Sequence, residues 1–246
     1  HMFELLPDER LDYLLGQEGK IIQSPSVFSY SLDAALLARF AWVPIQQGRI
    51  ADLCSGNGAI PLFLSYRTKG QITGLEIQPR LAEMARRSIH LNELNDQIEM
   101  IEGDVKEAGA RLGYGIYDAV TCNPPYFLAN ETSNQNQSEH YTIARHEVLC
   151  TLEDCIRGAA DLLKQGGKAA FVHRPERLLD IVTLMRTYRL EPKRMQLIYP
   201  KAGKEANMLL IEGIKDAKPG LKVLPPFIVY EADNSYAAQM KELFDV

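Results

Sequence analysis

From about residue 49 the chain alternates short, apolar, β-rich runs with longer stretches of helical periodicity, and this alternation restricts the fold more than any other feature. The strand candidates are Arg49–Cys54, Gln71–Ile77, Gln97–Ile101, Tyr117–Cys122 and Lys168–His173. Between them, Pro79–Leu94 sets Leu81, Met84, Ala85 and Ile89 at the spacing of one helix face. A further helix is expected over about 149–164, ended by Gly166-Gly167. Strands separated by helices of roughly 10–15 residues imply βαβ units, hence a parallel sheet with right-handed crossovers.

Beyond His173, Pro175 opens another helix that runs to about Tyr188. Strand candidates Met195–Tyr199 and Asn207–Gly213 follow, joined by the polar turn Lys201–Glu205. So short a connection makes that pair antiparallel. The expected fold is α/β: a doubly wound, mostly parallel sheet of seven strands with an antiparallel hairpin at one edge. The segment 219–246 is expected as a tail over the body, with a short helix near Ser235–Phe244. In the first 48 residues, Ser31–Trp42 reads as an amphipathic helix preceded by the polar-aromatic Ser24–Tyr30. That is too little to bury a core of its own. Residues 1–48 are therefore expected to be an extension that caps a single domain over 49–246, with His1-Met2 read as a cloning remnant.

Composition excludes several classes. The chain is 46% hydrophobic and 24% charged, and no apolar run approaches the roughly 18 residues of a membrane span. Cys54, Cys122, Cys150 and Cys155 show no short zinc-type spacing, so no metal and no disulfide are expected, and the compartment reads as a reducing cytoplasm. A monomer is expected. The net charge of −5 argues against wholesale coating of nucleic acid. Between His173 and Lys222, however, eleven Lys/Arg stand against six Asp/Glu. That local excess hints at a polyanionic partner, and a solvated face is the other reading.

The first strand runs into Asp52-Leu53-Cys54-Ser55-Gly56-Asn57-Gly58, and a helix over Ala59–Tyr66 follows. Glycines here let the backbone turn sharply and approach a ligand, at the carboxyl end of a strand where doubly wound sheets bind. The full G-x-G-x-x-G fingerprint is not present. Glu76 ends the second strand 24 residues after Asp52, placed to accept from the hydroxyls of a ribose. Ile77 follows it. Asp104 follows the third strand, placed to bond an adenine amino group, with Val105 against the ring. Acids after three successive strands point to a nucleoside-containing cofactor.

The fourth strand delivers Asn123-Pro124-Pro125-Tyr126. Two prolines stiffen the backbone and leave the Pro124 carbonyl available, and the Asn123 side-chain oxygen is a second acceptor. Two acceptors converging on one NH2 aim its lone pair at an electrophile, and Tyr126 is placed to stack on a planar group. Orienting a delocalised amine and stabilising the charge that grows on it is the chemistry such a group needs. Phe127 and a long polar stretch, Asn130–Glu139, follow, then Ala144-Arg145-His146-Glu147. Two readings of the last group stay open. Arg145 and His146 contact a phosphate or a flipped nucleotide, or Arg145 and Glu147 cap the helix beginning near Leu149.

These motifs, in this order, resemble the class I Rossmann-like methyltransferases that depend on S-adenosylmethionine. The tetrapeptide is the version shared by adenine-N6, guanine-N2 and protein-glutamine-N5 enzymes. Within that group the chain is most similar to the bacterial tRNA1(Val) adenine-N6 methyltransferase family. The likeness also covers Ile22-Gln23, Phe28-Ser29-Tyr30-Ser31-Leu32-Asp33, Ala144–Glu147 and Ala206-Asn207. It implies that Phe28, Ser29 and Asp33 lie by the cofactor's methionine end, and that an adenosine beside the anticodon, adenosine 37, flips into the pocket. One departure stands out: Cys54 holds the place of the first glycine in acid-x-Gly-x-Gly-x-Gly. The alternatives are a glutamine in a protein such as a release factor, or a guanine-N2 of rRNA. Glutamine enzymes of this type carry a longer helical N-terminal domain, and the basic segment lies at the other end here. RNA, in particular tRNA, is therefore the expected partner, with Lys201 and Lys204 on the basic hairpin among its contacts.

Overall fold

A two-stranded antiparallel hairpin, β1 (Arg10–Tyr13) and β2 (Lys20–Gln23), opens the computed structural model, which describes residues 4–124 and 150–246. Helix α1 (Leu32–Phe40) leads into the main sheet: β3 (Arg49–Leu53), α2 (Ala59–Leu64), β4 (Gln71–Glu76), α3 (Pro79–Leu91), β5 (Ile98–Glu102), α4 (Ala108–Leu112) and β6 (Tyr117–Cys122). It continues with α5 (Leu152–Leu162), β7 (Leu163–His173), α6 (Leu178–Thr187), β8 (Leu190–Tyr199) and β9 (Met208–Lys215). Across the sheet the order is β5-β4-β3-β6-β7-β9-β8, and β9 is antiparallel to both its neighbours. The doubly wound sheet with an antiparallel edge pair is thus the one the alternation predicts. Two short strands, β10 (Lys222–Val223) and β11 (Phe227–Ile228), add parallel pairing along the outer edge of β8 before α7 (Ala238–Phe244). The tail therefore extends the sheet as well as covering it.

Helices cover both faces, which is why the central strands read as continuous apolar runs. One core packs α1, α2 and α3 against Ile50, Ile72 and Ala119, and the other packs α4, α5 and α6 against Ala51, Leu75 and Val120. The chain winds outward through β3, β4 and β5, then returns to lay β6 against β3, pairing Leu53 with Cys122. The segments after β3 and β6 leave the sheet side by side, at the switch point where doubly wound folds open a crevice.

Several elements differ from expectation, among them β8, which begins at Leu190 and not at Met195. Helix α5 begins at Leu152, because Thr151 and Asp154 close a capping box at 3.1 and 2.9 Å. Thr151 is its N-cap, and Arg145 and Glu147 lie outside the described residues. Gly166-Gly167 do not end the helix: Leu163 already pairs with Tyr117, and Lys164–Gly167 bulge out before Lys168 resumes the ladder opposite Ala119. The hairpin β1–β2 was not anticipated. It is held on α3 by Ser88, which accepts from Ile22 N at 2.9 Å, and by Asn92, which bonds both backbone groups of Lys20. Glu9 adds a two-pronged ion pair to Arg87 at 2.7 and 2.8 Å.

Candidate active site

The loop after β3 turns through three left-handed residues, Cys54 (φ 57°), Gly56 (φ 59°) and Gly58 (φ 87°). Gly56 is required twice over, since a Cβ there would lie 2.9 Å from the Phe28 ring. Its N–H donates to Glu76 Oε1 at 2.7 Å, and Gln78 N donates to Oε2 at 2.9 Å. The Glu76 carboxylate is thus fixed between the loop and the start of α3, with an acceptor lone pair left on each oxygen. Burial raises its pKa above the usual carboxylate value.

These groups face a cavity of about 590 Å³ at the carboxyl ends of the strands, within the range of small-molecule sites. Ile77 lies beside Glu76, and Asp104 and Val105 follow β5 on one wall. Asp104 also caps the short helical turn after it, accepting from Lys106 N at 3.0 Å. Phe28, Ser29 and Asp33 form the opposite wall, from the segment between β2 and α1. Asn123 and Pro124 close the end next to the loop. Asn57 is fully buried; its Nδ2 donates to Ile22 O at 3.0 Å, while its Oδ1 has no partner among the described residues. An unsatisfied buried acceptor at a cavity wall is a place for a ligand donor.

The structure corrects several assignments. Asp52 does not line the cavity. It is fully buried beneath the loop, accepting hydroxyls from Ser55 at 2.6 Å and Thr121 at 2.7 Å, and burial pushes its pKa up to about 7. An acid at a strand end reads alike as ligand or as strut, and here its oxygens are taken from inside. Gly58 is also a packing residue: a Cβ would meet that of Ala85 on α3 at 3.0 Å. Lys201 and Lys204 lie on a second cavity with Tyr230 and Glu231, not on the first. Since β8 runs parallel to β7, their turn still projects from the same rim of the sheet. Pro125, Tyr126, Phe127, Arg145 and His146 lie outside the described residues.

Within 173–222, four of the arginines are paired with acids of the same segment, Arg177–Asp180, Arg186–Glu191, Arg189–Asp216 and Arg194–Glu212, so the pairs spread the charge but leave its excess in place. Sequence reasoning missed Arg174, which follows β7 and lines the main cavity. The strand-end rule that found Glu76 applies equally to it. It also missed Cys54 and Cys150 on the cavity wall, and the convergence of all four cysteines: Cys54 lies 3.8 Å from Cys150 and from Cys155, sulfur to sulfur.

Residues 18–188 match the methyltransferase small domain. The chain belongs to that family. Among curated relatives, a tRNA1(Val) (adenine(37)-N6)-methyltransferase of Porphyromonas gingivalis is 32% identical over 164 residues, 65% of this chain and 63% of that protein. The chain thus matches a little under two thirds of that relative's length. An enzyme of the same name from Aeromonas hydrophila is 25% identical, covering 82% of this chain and 84% of its own. A predicted O-methyltransferase of Agrobacterium tumefaciens superposes with a TM-score of 0.69 at 27% identity, covering 87% of this chain and 95% of that structure. None of the described helices is long and apolar enough to cross a membrane.

Proposed function

We propose that the chain transfers a methyl group from S-adenosylmethionine to N6 of an adenosine in tRNA, with adenosine 37 of tRNA1(Val) as the target, in the cytoplasm. The observation that carries this reading is the paired exit of the Cys54–Gly58 loop and Asn123-Pro124 from β3 and β6. The names of the curated relatives support the substrate.

The residues fit such a cofactor. Glu76 has a lone pair on each oxygen for the ribose hydroxyls, Asp104 stands ready for the adenine amino group, and Ile77 and Val105 offer apolar surface to the ring. The unpartnered Asn57 Oδ1 suits a cationic amine at the other end, and Phe28, Ser29 and Asp33 lie on that side. Residues 1–48 then act as the cap of a domain spanning 49–246, since they supply one wall of the cavity. S-adenosylmethionine, when bound, supplies an electrophilic methyl carbon on a sulfonium centre.

Asn123 and Pro124 accept from the two amino hydrogens of the target. Those bonds turn the nitrogen lone pair toward the cavity and strengthen as positive charge grows on nitrogen. Tyr126 is assigned to stack on the base. No strong base is required, because the amino proton becomes acidic as the new bond forms. The test is incubation with methyl-labelled cofactor and separate pools of tRNA, rRNA and protein. Label in tRNA, mapped to N6 of an adenosine by nucleoside digestion, is the expected result. Label confined to protein or to rRNA would replace this reading with one of the alternatives.

A further inference from the structure

We propose that Cys54, Cys122, Cys150 and Cys155 form a thiolate site for one zinc-class d10 cation, set between the cofactor loop and the start of α5. The four come from the loop after β3, the last residue of β6 and either side of the α5 N-cap. Sulfur–sulfur distances are 3.8 Å for Cys54–Cys150, 3.8 Å for Cys54–Cys155 and 3.5 Å for Cys150–Cys155. The sulfurs of Cys54, Cys122 and Cys155 all lie within 4.8 Å of one another. Four sulfurs placed about 2.3 Å from a zinc ion at tetrahedral corners stand about 3.8 Å apart. Cys54, Cys150 and Cys155 thus have the spacing of three ligands on one ion, and Cys122 completes the set from a sulfur within 4.8 Å of those of Cys54 and Cys155.

Close packing of small apolar side chains would also bring sulfurs together, but two features go beyond it. Cys54 is held at φ 57°, a left-handed backbone that penalises any residue with a Cβ and that glycine would adopt freely. A thiol is kept where the backbone favours its absence. In addition, Cys54 and Cys150 face the main cavity, giving an ion a path to a cluster whose other members are buried. All four are free thiols.

Binding balances as one divalent cation plus four neutral thiols giving a tetrathiolate complex of net charge −2 and four released protons. The amino end of α5 lies against the cluster, with Cys150 just before the Thr151 N-cap and Cys155 in its first turns, and its dipole favours the negative complex. The ion would fasten the chain at Cys122 and Cys150, immediately before and after residues 123–149. The inference does not depend on which substrate is methylated.

The full chain, reduced with a non-chelating phosphine and stripped of metal, is titrated with Co²⁺ as a spectroscopic probe and then with Zn²⁺. The expected result is one Co²⁺ per chain, with intense tetrahedral visible bands and sulfur-to-cobalt charge transfer, displaced by Zn²⁺. The companion variant is Cys54→Gly, which suits the left-handed backbone and so keeps the fold, as circular dichroism and a cooperative melt would verify. It should weaken Co²⁺ binding by more than the roughly 10–100-fold that loss of an outer hydrogen-bonding partner costs. Folded, reduced wild-type protein that takes up no Co²⁺, or only the pale spectrum of an octahedral ion, overturns the proposal. So does a Cys54→Gly variant that binds with unchanged affinity and spectrum.

Discussion

The hydroxyl of Thr121 donates to Oδ1 of Asp52 across 2.7 Å, joining the strand that enters the glycine loop to the strand that delivers Asn123. Ser55 takes the other carboxyl oxygen at 2.6 Å. One buried acid thereby sets the distance between the two halves of the site. Asp52→Ala leaves two buried hydroxyls without their acceptor, and should destabilise the fold by about 1–3 kcal/mol. Thr121→Val should cost less, and the two changes should be non-additive, because each removes the same bond. Denaturant unfolding of both single variants and the double variant measures this; strict additivity would show that the bond contributes nothing.

Glu76 links pH to cofactor affinity. Its pKa is raised by burial above the usual carboxylate value, so in the folded chain it takes up a proton at a higher pH than in the unfolded chain. A proton removes the acceptor that a ribose hydroxyl needs. Affinity for S-adenosylmethionine should therefore fall as pH drops through the folded value, before an ordinary carboxylate would take up its proton. The stability contribution has the opposite sign: it is fully present below the unfolded pKa of about 4.5 and is lost as pH rises through the folded value. Glu76→Gln should bind about tenfold or more weakly and lose most of this pH dependence. Calorimetric titration of both proteins at several pH values decides it, and parallel pH profiles would remove Glu76 from the cofactor site.

Asn123→Ala should lower methyl transfer about 100-fold or more while leaving cofactor affinity within a few-fold, as expected for a group that acts on developing charge. Single-turnover transfer and equilibrium binding, measured on the same preparation, separate the two effects. Undiminished transfer would sink the assigned chemistry.

Lys201 and Lys204 project from the carboxyl rim of the sheet beside the cavity's neighbour. The double change Lys201→Glu with Lys204→Glu should weaken tRNA binding and flatten the salt dependence by a slope of about two. Filter binding across a salt series tests this; equal affinity and equal slope would take the hairpin out of the interface.

The central strands were legible because they are buried on both faces. Runs such as Ile50–Leu53 and Ala119–Cys122 have few polar residues and end at turn formers. Strands without that signal were not legible. Arg10–Tyr13 alternates Leu11 and Tyr13 with polar residues over only four positions and buries neither, and Lys222–Val223 and Phe227–Ile228 are two residues each, so pairing with neighbours makes them strands. Glu76 and Asp104 were found by position at strand ends, and the same rule misplaced Asp52, because spacing does not say which way an acid faces. The cysteines were invisible for a related reason. Only Cys150 and Cys155, with four residues between them, have a zinc-like spacing; Cys54 and Cys122 lie far off in sequence, and the pairing of β3 with β6 brings them in.

The order of strands also has a consequence for how the chain folds as it is made. Strand β3 emerges before β4 and β5 and pairs with β4 early, yet its other edge waits for β6, 69 residues after Asp52 at Thr121. Until then Ile50–Leu53, fully buried in the finished sheet, presents unpaired backbone groups to the medium. Late arrival of a central partner is the kind of long-range closure that slows folding and exposes nascent chains to association. The feature that places the two halves of the site shoulder to shoulder is thus also the point at which synthesis leaves this protein most vulnerable.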